Sequence, residues 1–280
     1  MKKLLTIICL LISLMVLFTG CGNKTGSENN GTGDSQDLPV ENVSSEDFFE
    51  WDDNIIIALT EKGAKQKAIV IPEKCEGFDG MIFADVENSI EAVSFESDKD
   101  IDLNGVFGSA EKIKTISLPK NLSKIGSMDF CLCSSLETIS IPAYVTEIGS
   151  YAFQDNKSLK SIIFEGNITT IGAHSFDGCE LLTDIVFPDT ISQIEEYAFY
   201  NCISLKKISL PSSLTIVEEF SFGNTGIEEI TIPKDVVLEK YDSTSFVQPD
   251  HNINVYVYSG SWIDNNFDSV FENGYIKEIK

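Results

Sequence analysis

The stretch Ala198-Phe199-Tyr200-Asn201-Cys202-Ile203-Ser204-Leu205-Lys206-Lys207-Ile208-Ser209-Leu210-Pro211-Ser212-Ser213-Leu214-Thr215-Ile216-Val217 decides the fold, because the turns before it repeat its pattern. Phe130, Phe153, Phe176, Phe199 and Phe222 recur every 23 residues. Leu136, Leu159, Leu182 and Leu205 keep the same step, as do Ile139, Ile162, Ile185 and Ile208. Ile141, Phe164, Phe187 and Leu210 follow, then Pro142, Pro188 and Pro211, with Ile148, Ile171, Ile194 and Val217 closing each turn. A fixed period of this length marks a solenoid, whose units bury their apolar faces only against one another. Such a chain offers a display surface rather than a closed reaction vessel.

Working outward, Phe107, Ile113, Ile116 and Leu118 fit the same grid upstream, as do Ile90, Val93 and Phe95, whereas Phe83 is one residue out of step. Downstream, Ile227, Ile230, Ile232 and Pro233 continue it after a one-residue deletion near Gly226. The grid predicts inward strands near 69–71, 93–95, 115–118, 138–141, 161–164, 184–187, 207–210 and 229–232. It assigns the solenoid to residues 73–238, an N-terminal strand cap to 47–72 and a C-terminal cap to 239–280. In the first cap, Ile55 to Leu59 and Ile69 to Ile71 read as strands around a turn at Glu61-Lys62-Gly63. In the second, 254–258 reads as a strand, Ser261 caps a short helix to about Phe271, and Tyr275 to Ile279 forms a last strand.

The unit Ala-Phe-x-x-Cys-x-x-Leu-x-x-Ile-x-Leu-Pro-x-x-Leu-x-x-Val, as at Ala198 to Val217, resembles the BspA-like subclass of bacterial leucine-rich repeats. The resemblance covers about residues 69 to 238. It departs at Glu165-Gly166, where proline is missing, and at 96–106, where the grid loosens. It implies a right-handed leucine-rich-repeat solenoid with a parallel sheet on one face and a strand-helix-strand C-terminal cap. It also implies an exported protein of the kind often considered an adhesin.

The N-terminus points the same way. Lys2 and Lys3 precede the apolar run Leu4 to Phe18, the layout of a secretory signal. That run is short of the roughly 20 residues a spanning helix needs. Phe18-Thr19-Gly20-Cys21 resembles the bacterial lipobox, which implies a signal over 1–20 and lipidation of Cys21. Residues 21–46 are rich in Gly, Ser, Asn, Thr and Asp and read as a flexible tether. Its average reach is about 25–30 Å.

The charge balance excludes one class of partner. There are 44 acidic residues against 20 basic ones, all of them lysine, for a formal charge of −24. That surface repels nucleic acid, and the missing arginine removes the best phosphate fork. Cys133, Cys179 and Cys202 share one repeat position and read as a buried column rather than a disulfide framework. Cys131 falls where other turns carry Gln154, Asp177 and Tyr200, and reads as exposed.

Few residues suggest chemistry. Asp100-Ile101-Asp102-Leu103-Asn104-Gly105, with Glu111 at the twelfth position, matches a calcium-loop spacing. No helix is expected on either side, so it reads as a solvated acidic loop. Glu195-Glu196 and Glu218-Glu219 read as a charged edge, and His174 as one member of the column Met128, Tyr151, His174, Tyr197 and Phe220. His251 lies in a polar loop before the cap. No nucleophile elbow or phosphate loop is present, so neither an enzyme nor a cofactor or metal is expected.

What remains is the solvent side of the strands. Thr138, Ser140, Ser161, Ile163, Asp184, Val186, Lys207 and Ser209 are expected there, with Ile163 and Val186 forming an apolar spot. The reading is a lipid-anchored, extracytoplasmic protein that binds protein or glycan along this face. Two alternatives stay open: an envelope spacer without a specific ligand, and a lipoprotein that captures substrate.

Overall fold

The computed structural model describes residues 45–84, 87–241, 244–246, 253–271 and 275–280. The signal segment, Cys21, the tether up to residue 44 and His251 lie outside the described residues.

Each turn contributes one strand in which a central isoleucine or valine points inward and its neighbours point out. Successive strands pair in parallel with no slip in register: Ile139 opposes Ile162, and Ile162 opposes Ile185. The ladder runs through Ala68–Ile71, Ala92–Phe95 and Thr115–Ile116, then Thr138–Ile141, Ser161–Phe164 and Asp184–Ile185. Lys207–Ser209, Glu229–Thr231, Ile253–Val257 and Tyr275–Ile279 complete it, in three consecutive hydrogen-bonded groups. Every strand predicted from the grid is present. A one-residue slip would turn the inward set to solvent, so burial of that set fixes the register.

A second parallel sheet was not foreseen. Glu147–Ile148, Thr170–Ile171, Gln193–Ile194, Ile216–Val217 and Lys240–Tyr241 pair in order along the opposite part of each turn. The column Ile148, Ile171, Ile194 and Val217 carried its signal, but two-residue strands are too short to show an alternation.

The phenylalanine file runs through the core. Phe83, Phe107, Phe130, Phe153, Phe176, Phe199, Phe222 and Phe246 are all buried. Neighbouring rings stack at centroid separations from 5.1 to 5.6 Å. Phe83 and Phe246 join the stack although each stands 24 residues from its neighbour, because the extra residue is absorbed in the connecting loop.

The turns that carry the file are held by backbone bonds to the next turn. Tyr151 N–H donates to Ala173 O at 2.8 Å, Phe153 N–H to Ser175 O at 2.7 Å and Asp155 N–H to Asp177 O at 2.7 Å. Aiming these donors along the axis requires left-handed residues. Met128, Tyr151, His174, Tyr197 and Phe220 adopt φ between 49° and 61°. Left-handed φ is costly for large side chains. Here it is offset by the bonds just named and by stacking of His174 between Tyr151 and Tyr197 at 4.8 Å on each side.

The loosened grid at 96–106 has a specific splice. In the regular turns Gly149 N–H and Gly172 N–H donate to the carbonyls of Ile125 and Ile148. The equivalent Gly126 N–H donates instead to the Asp129 carboxylate at 2.6 Å, and Gly105 N–H reaches the other carboxylate oxygen at 2.9 Å. Asp129 is buried, and its burial raises its carboxyl above the usual carboxylate range against the pull of the two N–H donors. A raised folded value favours the protonated native state. Its contribution is therefore present below about pH 3.8 and is lost as pH rises through the folded value.

The N-terminal cap has its own pairing. Phe49–Asp52 and Ile55–Leu59 form an antiparallel pair, and the latter also pairs in parallel with Gly77–Phe78. Ile55–Leu59 and Ala68–Ile71 do not pair; a short helix, Glu61–Ala64, capped by the Thr60 hydroxyl, separates them. At the other end, helix Trp262–Val270 connects Ile253–Val257 to Tyr275–Ile279, which pair in parallel.

Two cysteine readings meet the coordinates differently. Cys133, Cys179 and Cys202 are free, buried thiols, as is Cys75. Burial pushes the thiols of the three column members up, Cys179 and Cys133 well above the ordinary value. Cys131, read as exposed, is buried, its sulfur 3.6 Å from Gln154 Oε1. A short side chain at this position sinks beneath its longer neighbour, which the types at the other turns do not reveal.

Candidate binding face

The outward strand positions form one surface. Thr138 opposes Ser161 and Ser140 opposes Ile163, while Ser161 also opposes Asp184 on its other side. Thr138, Ser140 and Ser161 are half-buried by their neighbours. Ile163 is 54% exposed and Val186 82% exposed, so the predicted apolar spot stands free on neighbouring turns. The backbone of Asp184 lies in its strand; its side chain is outside the described set.

Lys207 and Ser209 are exposed but belong to the next hydrogen-bonded group. Lys207 is opposite Glu229 and pairs with it at 2.6 Å, which raises its ammonium above the ordinary lysine value. Its charge is therefore committed within the face. The Ser140 hydroxyl is likewise engaged, donating to Glu165. The exposed apolar groups of the face are Ile163 and Val186.

A charged rail beside the face was missed. The residue just before successive strands reads Lys67, Glu91, Lys114, Glu137 and Lys160. Glu91 pairs with both Lys67 and Lys114, and Lys160 with Glu137 at 2.7 Å. Further along, Lys206 pairs with Glu228 at 3.1 Å. The alternation was visible at the repeat step, but only stacked turns make residues 22 to 24 apart into neighbours.

Hydrogen bonds from Lys114 and then Lys67 lower the Glu91 carboxyl from 4.5 to about 2. A depressed value contributes stability above the unfolded pKa, lost as pH falls through about 2. An NMR titration of the Glu91 carboxyl is expected to show a midpoint near 2, and Lys114→Gln should move it back toward the ordinary range.

The other acidic motifs are occupied by neighbouring turns. Asp100 accepts from Ser123 N–H at 2.9 Å and from its hydroxyl at 2.6 Å. Asp102 accepts from Asn104 N–H at 3.2 Å and faces Lys124 at 3.7 Å. Among the described residues no cluster of three or more His, Cys, Asp or Glu is arranged to hold a metal. Glu195 accepts from Ala173 N–H at 3.0 Å, and Glu218 pairs with Lys240. His174 Nδ1 lies 3.0 Å from Asp177 Oδ2 within the stacked column, a packing role.

The repeat family follows from comparison with known proteins. The model of the "BspA type leucine rich repeat region" matches residues 61–182 and 169–280, in six copies. The chain belongs to the BspA-type leucine-rich-repeat family. Among curated proteins none matches it. Among solved structures, the pneumococcal vaccine antigen PcpA is 17% identical, covering 77% of this chain and 80% of that one, with a TM-score of 0.45. A leucine-rich-repeat protein of T. pallidum is 21% identical over 82% of this chain and 95% of its own, TM-score 0.44. A leucine-rich cell surface protein of Faecalibacterium prausnitzii is 18% identical over 74% and 82%, TM-score 0.32. These likenesses concern the fold. The BspA-type match spans residues 61–280, past the predicted repeat end at 238, as does the parallel ladder.

Proposed function

We propose that this BspA-type protein is a non-catalytic, extracytoplasmic lipoprotein, anchored through Cys21, that binds a macromolecular partner across the outward strand face. The observation that carries the reading is the exposed pair Ile163 and Val186, on a face whose Lys207 is already paired with Glu229. Apolar side chains left free on a rigid sheet are how repeat proteins engage partners. The similarity to a protein described as a vaccine antigen and to one described as a cell surface protein supports a surface location. Lipid at Cys21 would hold many copies on one membrane, so weak individual contacts gain by avidity.

The double variant Ile163→Asp/Val186→Asp is expected to reduce capture of partners from host-cell and bacterial surface extracts at least about tenfold, since a buried charge costs several times the lost apolar contact. Its stability should stay within about 0.5 kcal/mol per substitution, because both side chains are on the surface. No capture by the wild type would favour a spacer without a ligand, and equal capture by wild type and variant would move binding away from this pair. Labelled palmitate is expected to enter the wild type and not Cys21→Ser; equal labelling of both would remove the anchor.

A further inference from the structure

The chain carries 44 acids against 20 lysines, and most of its ion pairs match one lysine with one acid or with two. One place reverses that ratio. In the described ion pairs, Glu91 is the one carboxylate that serves two lysines, Lys67 and Lys114. The two ammonium groups are thereby held close together with a single negative charge between them. They line a surface depression of about 250 Å³, together with Ser89, Ser135 and a third lysine, Lys112, which donates to the Asn88 carbonyl at 2.6 Å. Both ammonium groups reach the Glu91 carboxylate, and their hydrogen bonds hold it below the ordinary carboxylate range. One carboxylate leaves the two ammonium charges unbalanced.

From this arrangement we infer that the depression between Lys67 and Lys114 is a binding site for the carboxylate or sulfate group of an acidic saccharide. Two lysines can share a second oxyanion as they share Glu91, as point charges that tolerate varied geometry. The hydroxyls of Ser89 and Ser135 suit sugar hydroxyls, and the volume fits about one sugar ring. An acidic polypeptide fits less well, because its runs of charge would meet the strongly negative remainder of the surface. A saccharide brings isolated charges among neutral hydroxyls. The site lies on the rail beside the strand face and deepens the surface-binding reading, but it uses none of the residues on which that reading rests.

The test is calorimetric titration of the full chain with a neutral oligosaccharide bearing a single uronate, one bearing a single sulfate, neutral dextran and a glutamate-containing peptide of equal charge. The two anionic saccharides should bind, more weakly as salt rises, and dextran should not. Lys67→Ser/Lys114→Ser should weaken binding at least tenfold. Glu91→Gln should strengthen it severalfold, because it removes the resident competitor; a merely structural carboxylate would give no such gain. Circular dichroism melting of each variant verifies folding. Absence of saccharide binding, binding of the glutamate peptide as tight as that of the saccharides, or a Glu91→Gln variant that binds no better would overturn the assignment. Loss of saccharide binding alongside intact capture through Ile163 and Val186 would sink this site alone and leave the strand-face reading standing.

Discussion

Phe176→Ala is expected to lower the unfolding free energy by about 3–5 kcal/mol, the range for removing a large buried aromatic side chain. Phe176 is completely buried, and its ring stacks at 5.2 Å on both Phe153 and Phe199, with interplanar angles of 2° and 9°. A globular core can relax into such a hole from several directions. A solenoid cannot, because each turn touches only its neighbours and their backbone bonds fix the rise between them. The cavity should therefore remain open and weaken both adjoining interfaces. Denaturant unfolding should show a lower midpoint and, with the weakest interface now central, a transition that splits in two. Phe83→Ala, at the end of the file, loses a single stacked neighbour, Phe107, and should cost less. A loss below about 1 kcal/mol for Phe176→Ala would mean that the file does not carry the stability, against the usual cost of aromatic truncation.

That file shows which parts of the structure a single sequence discloses. Residues repeated at a constant step and of one type, such as Phe130 to Phe222 or Ile139 to Ile208, announce their own stacking, and the strands follow from them. Features that depend on a pairing between unlike residues stay hidden. Phe246 completes the file, yet its 24-residue offset and the irregular sequence around it break the grid. Asp129 occupies a position held by Ala152, Ser175, Ala198 and Ser221 in the regular turns, so nothing in its column hints at two glycine N–H donors. The separation of Ile55–Leu59 from Ala68–Ile71 is settled by tertiary packing, which short apolar runs do not encode. On the binding face, alternation correctly placed Ile163 and Val186 outside. It could not show that Lys207 is held by Glu229, because that pair exists only once the turns are stacked.

Asn156→Ala is expected to be nearly as damaging, at about 3–4 kcal/mol, for a polar reason. Asn156 interrupts the cysteine column, and its amide makes three buried hydrogen bonds that a thiol cannot all reproduce. Nδ2 donates to Phe130 O at 2.8 Å and to Phe153 O at 2.9 Å, and Oδ1 accepts from Cys133 N–H at 2.6 Å. In the cysteine turns the column residue's own N–H is satisfied within the turn, Cys179 to Phe176 O and Cys202 to Phe199 O. Cys133 instead follows Leu132, at φ 67°, and donates to the side chain in the next turn. Truncation to alanine therefore strands a buried donor and a buried acceptor, each costing about 1–3 kcal/mol. Asn156→Cys separates the two losses. Cys179 and Cys202 donate to the carbonyls of Phe153 and Phe176, each at 3.3 Å, so a thiol at 156 should restore the bond to Phe130 O and leave only Cys133 N–H unpaired. It should cost about half as much as alanine, since one orphaned group remains rather than two. Hydrogen exchange should locate the damage: the Cys133 amide should exchange faster in both variants, while the amides of Cys179 and Cys202 stay protected. Equal stability of Asn156→Cys and wild type would show that the acceptor for Cys133 is dispensable, and that the asparagine is held at this turn by its two donations alone.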